Sequence, residues 1–173
     1  MQEQDIYGKY GAYLPKILED LSQRIQEAND RVKQETGQKL FEHFNARIKQ
    51  AASMEEKCQR KNLPRVPESA LKEIRDAIGI RIVCGFIEDI YQTIEVLRQL
   101  EGCEIVLEKD YIRAAKPNGY RSYHLILEVE TPYEDCHGQN PGRYFVEIQL
   151  RTIAMDSWAS LEHQMKYKHE IKD

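Results

Sequence analysis

The 173-residue sequence lacks any apolar run that approaches the ~20 residues a transmembrane helix needs. Its first residues, MQEQDIYGKYGAYLPK, carry acids where a secretory signal peptide has a basic and then an apolar stretch. The sequence contains no internal repeat and no low-complexity tract. We therefore expect a cytoplasmic protein with no membrane partner.

Cysteine is scarce, and the four residues Cys58, Cys84, Cys103 and Cys136 form no C-x-x-C pair. This spacing argues against a zinc knuckle or a redox dithiol, and it favours buried, inert thiols. The sequence also has no P-loop, no G-x-G-x-x-G turn and no kinase signature. A phosphate-binding site would have to be built in another way.

The composition is that of one folded domain, with 41% hydrophobic and 31% charged residues. The net charge is −4, but basic residues are concentrated in two segments, 43–65 and 109–124. Two basic segments on an acidic chain indicate a localised site for a polyanion rather than a general nucleic-acid surface. We therefore expect no stable nucleic-acid partner.

The periodicity of apolar residues predicts the order of helices and strands in the first half of the chain. Spacings of three and four predict a helix over 14–35, ended by Gly37, ahead of a core over about 38–168. Alternation predicts a strand over 40–49. Ser53-x-x-Glu56 matches a capping box that would begin a short helix, and 64–67 reads as a loop.

In the second half, IGIRIVCGF reads as a strand with Ile78, Ile80, Ile82, Cys84 and Phe86 on one face. A helix over 87–100, a strand from Cys103, a turn at 116–119, two further strands and a helix over 152–168 follow. This order predicts an α+β fold, a mixed β-sheet flanked by helices.

Three of the predicted strands carry an apolar face and a face of polar side chains. The polar positions are Arg47 and Lys49 in the first strand, Tyr120, Ser122 and His124 in the fourth, and Glu147, Gln149 and Arg151 in the fifth. Such a face either meets water, as in many antiparallel sheets, or forms a site. The residues alone leave both interpretations open.

Cations and carboxylates on one face suit phosphoryl transfer, because that reaction relies on positioning and charge neutralisation by Lys, Arg and Mg²⁺. Asp76, at the start of an apolar strand, and Glu147, within another, are the candidate Mg²⁺ ligands. For Glu147, the residues alone favour simple exposure on the polar face over a functional role, because acidic side chains are mostly exposed.

Three segments resemble the RelA/SpoT-type synthetase domain, and in particular the small stand-alone alarmone synthetases. They are RDAIGIRIVCGFIEDIY, KDYIRAAKPNGYRSYHLILEV and VEIQLRTIAMDSWASLEHQMKYK. The resemblance covers about residues 40–168. It implies a nucleotidyltransferase-like fold and transfer of the β,γ-pyrophosphate of ATP to the 3′-hydroxyl of GTP or GDP, which yields (p)ppGpp.

The resemblance also implies roles for individual residues. Asp76 would coordinate Mg²⁺, and Glu147 would share the metal or accept the proton of the 3′-hydroxyl. Residues for ATP would be Arg47, Lys49, Ser53, Lys57 and Arg81, with Arg47 and Arg81 around the adenine. Tyr120 would stack on the acceptor guanine. The acceptor would also contact Lys116, Asn118, Arg121, Ser122, His124, Gln149, Arg151 and Asp156, and His163 and Lys166 would complete the motif of the last helix.

The sequence departs from this family in two places. Gln50-Ala51-Ala52 stands where relatives tend to have Ser-Pro-Glu, which removes a hydroxyl from the expected ATP-phosphate segment. Relatives also continue into C-terminal helices that support oligomers, so a homo-oligomer is possible but not implied. No hydrolase half is expected, since the sequence has no His-Asp dipeptide.

Two other functions stay open at this point. Some relatives are toxins that act on the 3′ end of tRNA or make adenosine alarmones. The altered segment at 50–52 would also suit a catalytically inactive regulator that binds a nucleotide or RNA.

Overall fold

The computed structural model describes residues 4–172, with side chains over residues 4–166. Its helices are α1 (Leu14–Thr36), α2 (Ala51–Arg60), α3 (Ile87–Arg98) and α4 (Ile153–Lys172). Its strands are β1 (His43–Ile48), β2 (Ile78–Cys84), β3 (Cys103–Asp110), β4 (Tyr123–Thr131) and β5 (Gly142–Thr152). A 3₁₀ segment (Gly8–Tyr13) leads into α1, and a π-helical turn (Ser69–Glu73) precedes β2.

The strands form one five-stranded sheet in the order β1-β2-β5-β4-β3. β2 and β5 are parallel, and the other neighbours are antiparallel. This mixed sheet with flanking helices confirms the predicted α+β class. The central position of β2 and β5 brings the start of one strand beside the middle of the other.

One face of the sheet is apolar and builds the core. Alternate side chains of β2 and β5 are almost fully buried there, including Ile78, Ile82, Val146 and Ile148. Helix α1 buries Leu14, Ile17, Leu21 and Ile25 in the same cluster, as its spacing of three and four predicts. Because the apolar side chains of the strands are used here, their polar side chains lie on the opposite face.

Asn29 of α1 holds the chain as it enters β1. Its Oδ1 accepts from the backbone N–H of Leu40 at 2.7 Å and of Phe41 at 3.3 Å, and its Nδ2 donates to the Phe41 carbonyl. Leu40 and Phe41 are buried ahead of the strand, so β1 is shorter than the alternation over 40–49 predicts.

The expected capping box is wrong. Helix α2 begins at Ala51, with Gln50 as its N-cap residue and no capping hydrogen bond from a side chain. Ser53 therefore lies inside the helix and is exposed. Gln50 has non-helical backbone angles, φ −59° and ψ 144°, and the helix begins directly after it, earlier than the local motif suggests.

Two sets of apolar side chains that the sequence pattern places on buried faces include exposed residues. Phe86 lies beyond the end of β2 and is 71% exposed, so it does not share the buried face. On α4, Trp158, Leu161 and Met165 are 38%, 60% and 65% exposed. Helical spacing places these three side chains on one stripe, but the sheet packs against other positions of α4.

The cysteines agree with the expectation of structural thiols. All four are free, and Cys58 and Cys84 are buried. Burial raises the pKa of the Cys84 thiol to about 12. Between residues 4 and 172, no helix combines the length and the apolar character needed to cross a membrane.

Candidate active site

The strand register aligns polar residues in a row across the sheet. Neighbouring strands pair at the positions Asn45, Arg81, Gln149, His124 and Lys109. In an adjacent row, Gly79 pairs with Arg47 on one side and with Glu147 on the other. Residues that are about a hundred positions apart in the chain therefore share one open face.

The two candidate carboxylates meet at a cavity of about 190 Å³ over β1, β2 and β5. Asp76 enters it from the residue pair before β2, and Glu147 enters from β5. Gly79 lies between them and adds no side chain, which keeps the cavity open. The prediction that Asp76 and Glu147 share one neighbourhood agrees with this geometry.

The oxygens of this pair suit a divalent cation. The Oδ1 atom of Asp76 is buried and has no hydrogen-bond partner within the described residues. Glu147 is half-buried, and its Oε1 accepts from Gln149 Nε2 at 2.8 Å. Residues 4–166 hold no cluster of three or more metal-ligating side chains. The residues therefore fit a hard cation that takes its other ligands from phosphate and water.

Two lysines converge on the other oxygen of Asp76. Lys49 Nζ lies 2.8 Å and Lys57 Nζ 2.7 Å from Asp76 Oδ2. Burial alone would raise the pKa of Asp76, but hydrogen bonds and charge from the two lysines hold it below its ordinary value. Two ammonium groups against one carboxylate leave a net positive charge, which favours a phosphate at this end of the site.

The backbone of Lys49 is held on both sides. Its N–H donates to the Ala77 carbonyl at 2.8 Å, and its carbonyl accepts from the Tyr7 hydroxyl at 2.6 Å. Tyr7 is buried, and burial followed by the charges of Asp76 and Asp5 raises the pKa of its hydroxyl. The residues N-terminal to α1 thus position the strand end that carries Lys49, a role that no sequence motif indicated.

A second polar cluster forms around the Tyr120 hydroxyl. It lies 2.9 Å from His124 Nε2 and accepts from Arg151 Nη2 at 2.9 Å. Lys116 Nζ lies over the rings of Tyr120 and Tyr111 at 5.4 and 4.8 Å from their centroids. Tyr120 is half-buried, so its ring combines a fixed orientation with an accessible edge or face.

His124 is neutral in this cluster. Burial lowers its pKa to about 4, and the charges of Arg151, Lys116 and Lys109 add to the effect. Because the Tyr120 oxygen accepts from Arg151, its single proton is available for Nε2 of the neutral imidazole. The lowered pKa and the hydrogen bonds therefore favour the same tautomer, with the proton on Nδ1.

Asp156 of α4 lies between Arg151 of β5 and Arg81 of β2. Its Oδ1 lies 3.2 Å from Arg151 Nη1 and 3.9 Å from Arg81 Nη1. Arg151 is buried, and its Nε has no hydrogen-bond partner within the described residues. This carboxylate balances part of a strongly positive surface.

A cleft of about 740 Å³ lies between the polar face and α4 and joins these groups. It contains residues expected for ATP, Arg47 and Arg81, together with residues expected for the acceptor. The acceptor residues in it are Lys116, Asn118, Tyr120, His124 and Arg151, and His163 and Lys166 face it from α4. The cleft meets the carboxylate cavity at Arg47 and Arg81, which line both.

Three residues of the expected set are placed elsewhere. Ser53 is exposed on α2 and lines neither cavity. Arg121 lies on an apolar cavity beside Trp158, on another side of the loop. Ser122 is fully buried, and among the described residues its hydroxyl has no hydrogen-bond partner. The strand β4 begins only at Tyr123, so the alternation does not extend to Ser122.

The structure adds site residues that the sequence reasoning did not name. Asn45 lines the carboxylate cavity, and its alternation with Arg47 in β1 was an available signal. Tyr111 supports the Tyr120 ring from 6.3 Å, and Lys109 faces His124 across β3 and β4. Both residues lie in the second segment that resembles the family, and Lys109 begins the basic segment 109–124, but neither signal gave them an individual role.

Comparisons with known proteins agree with this geometry. Residues 46–172 match the family described as the region found in RelA / SpoT proteins. The chain is 45% identical over 133 residues to GTP pyrophosphokinase YwaC of Bacillus subtilis, which covers 76% of this chain but only 61% of YwaC. It is 34% identical over 154 residues to GTP pyrophosphokinase YjbM of the same organism, covering 89% of this chain and 70% of YjbM.

Solved structures show the same fold. The small alarmone synthetase 1 from Bacillus subtilis, bound to its product pppGpp, superposes with a TM-score of 0.75 at 32% identity. That match covers 91% of this chain and 77% of the other. The region that matches the family, residues 46–172, contains both carboxylates and the Tyr120 cluster. This chain belongs to the family defined by the region found in RelA / SpoT proteins.

Proposed function

We propose that this protein is a GTP pyrophosphokinase that transfers the β,γ-pyrophosphoryl group of ATP to the 3′-hydroxyl of GDP or GTP and so makes (p)ppGpp. One observation carries the proposal: residues suited to two nucleotides line one cleft, and that cleft leads to the Asp76–Glu147 cavity. A bisubstrate phosphoryl transfer needs this arrangement, since its catalysis depends on positioning and charge neutralisation.

On the donor side, Arg47 and Arg81 would hold the adenine between their guanidinium planes, as cation–π contacts allow. The phosphates would then reach Lys49 and Lys57. In the structure both lysines contact Asp76, so a bound phosphate chain would share or replace these ion pairs. Ser53 lies on the same helix as Lys57 and would contribute only after a local change.

On the acceptor side, Tyr120 would stack on the guanine, with Lys116 and His124 beside it. Asp156 carries the acceptor that guanine N1 and N2 require, and it would exchange its contacts with Arg81 and Arg151 for the base. Arg121 and Ser122 would act by shaping the loop, since the Ser122 carbonyl accepts from the Tyr111 N–H at 2.9 Å.

In the transfer, the 3′-oxygen attacks the β-phosphorus of ATP, the bond to the α-phosphate oxygen breaks, and AMP leaves. Gln149 holds Oε1 of Glu147, which leaves the second carboxylate oxygen to take the proton of the 3′-hydroxyl. We propose Mg²⁺ at Asp76 and Glu147, where it would neutralise phosphate charge. Lys49 and Lys57 neutralise further charge as it moves to the bridging oxygen.

The test is direct. The protein is incubated with Mg²⁺, ATP labelled at the γ-position, and GDP or GTP, and the guanosine product is separated by anion exchange. We expect label in a 3′-pyrophosphorylated nucleotide and a stoichiometric release of AMP. An enzyme that is inert with both acceptors across pH would refute the proposal.

Parallel reactions with adenosine nucleotides or tRNA as the acceptor test the related activities. Preferred transfer to either one would replace the guanosine assignment. Because its proposed substrates are nucleotides of the cytoplasm, we place the protein there, and a homo-oligomer stays a prediction.

A further inference from the structure

A second cavity, of about 580 Å³, adjoins the carboxylates on the side away from the base-binding cleft. Asp76 and Glu147 line it too, so it is continuous with the catalytic end of the site. His124 of β4 lines the base-binding cleft, and Ile126, two residues further along the same strand, lines this second cavity. The carboxylate pair therefore lies between two open spaces.

Two cations on the rim of this second cavity have no assigned role. Lys61 follows Lys57 by about one helical turn at the end of α2, and Arg75 directly precedes Asp76. The Arg75 guanidinium lies 4.6 Å over the Phe145 ring, which limits its orientations. Within residues 4–166, neither cation forms an ion pair with a carboxylate.

Exposed cations are common on protein surfaces, and most of them only face water. Two features distinguish this pair. Both line a cavity that also contains the two candidate metal ligands, and Arg75 is held by an aromatic ring. Glu73 lines the same cavity, but within residues 4–166 neither cation forms an ion pair with it. The pair therefore offers an anion site at a defined position relative to Asp76.

The chemistry of the transfer requires an anion site in this direction. In-line displacement puts the attacking 3′-oxygen and the departing AMP oxygen on opposite sides of the β-phosphorus. Residues for both nucleotides lie in the cleft beneath α4. The γ-phosphate is attached to the β-phosphorus but belongs to neither the nucleophile nor the leaving group, so it must extend away from that cleft.

We infer that Lys61 and Arg75 bind the γ-phosphate of ATP in this second cavity and thereby place the β-phosphorus at the carboxylate pair. The inference rests on the proposed function and extends it. Holding the γ-phosphate beyond the carboxylates directs attack to the β-position, so the group transferred is a diphosphate rather than a monophosphate. The reaction itself is that given above, with AMP leaving and the pyrophosphoryl group staying at these two cations.

The experiment measures what the γ-phosphate contributes to binding. Dissociation constants for α,β-methylene-ATP and α,β-methylene-ADP are measured by calorimetry with Mg²⁺, for the wild type and for Lys61→Gln, Arg75→Gln and the double variant. The dissociation constant of the diphosphate analogue divided by that of the triphosphate analogue measures how much the γ-phosphate adds to affinity. We expect the double variant to reduce this ratio by about tenfold, as two exposed cations each contribute modestly. Affinity for the diphosphate analogue should stay within about twofold, because that analogue does not reach the second cavity.

Arg60→Gln is the matched control. Arg60 is the neighbour of Lys61, and its replacement by glutamine removes the same charge. Its side chain contacts Glu56 and does not line the cavity. We expect it to leave the ratio unchanged. An unchanged ratio in the double variant, or an equal change in Arg60→Gln, would overturn the inference.

Failure of this inference is distinct from failure of the proposed function. A wild type that makes the guanosine product but shows no change of ratio in the double variant removes only the role of Lys61 and Arg75. If the wild type makes no product but the double variant lowers the ratio, the phosphate site stands and the proposed acceptor is wrong.

Discussion

Replacing Tyr120 by phenylalanine and by alanine separates the two roles that its position allows. The hydroxyl joins His124 and Arg151, and the ring lies in the cleft beside Lys116. Tyr120→Phe removes only the hydroxyl, whereas Tyr120→Ala removes the ring as well. If the ring stacks on the acceptor base, only the alanine variant should lose acceptor affinity.

The expected magnitudes follow from these contacts. Stacking of a base on an aromatic ring contributes about 1–3 kcal/mol, which is roughly 5- to 150-fold in the acceptor dissociation constant. Loss of the hydroxyl should cost about 1 kcal/mol of folding free energy, because Arg151 keeps its contacts with Asp156 and Gln149. For a domain of this size that is about 2–4 °C in Tm.

The assay is calorimetric binding of GDP together with thermal unfolding of each variant. We expect Tyr120→Phe to bind GDP within about twofold of the wild type, and Tyr120→Ala to bind it at least fivefold more weakly. Equal losses in the two variants would show that the hydroxyl network, not the ring, determines binding. Unchanged affinity in Tyr120→Ala would refute the stacking role altogether.

Three further predictions concern the catalytic end, the pH dependence and the N-terminal segment. Asp76→Asn and Glu147→Gln should each lower kcat by at least about a hundredfold with an unchanged circular dichroism spectrum, since each removes a charge from the proposed metal site. Near-normal turnover would remove that residue from its proposed role. The pKa of His124 is about 4 in the fold against an ordinary 6.5, so the unfolded chain binds more protons between these values and stability should fall as pH drops from 6.5 to 4. Thermal unfolding of His124→Asn should show a smaller fall over that range, and an identical pH profile would contradict the lowered pKa. Tyr7→Phe should lower the Tm by about 2–4 °C, because the carbonyl of Lys49 loses its hydrogen-bond donor. It should also raise the KM for ATP more than it changes kcat. A variant with wild-type KM would show that Tyr7 has only a structural role.

The predictions made from local pattern are confirmed where the pattern reports a local preference. Helix α1 matches its expected range to within one residue, and β2 buries Ile78, Ile80 and Ile82 as the alternation indicates. The family resemblance and the mixed sheet are confirmed as well. The three motif segments contain Asp76, Glu147 and Tyr120, and the structure brings all three to the polar face.

Local pattern is wrong where packing between distant segments decides the outcome. Ser53-x-x-Glu56 satisfies a capping box, yet the N-cap residue of α2 is Gln50 and Ser53 lies within the helix. Alternation through Ser122 suggests an open polar face, yet the chain before β4 turns that side chain inward.

The sequence by itself determined which side of each strand is apolar, because alternation is a property of neighbouring residues. Only the tertiary structure decided that Gln149 lies between Arg81 and His124, that two lysines meet at one oxygen of Asp76, and that Tyr7 supports Lys49. These contacts depend on the strand order and register, which result from packing the whole core. A one-residue change of register would reverse the faces without changing the sequence pattern of any strand.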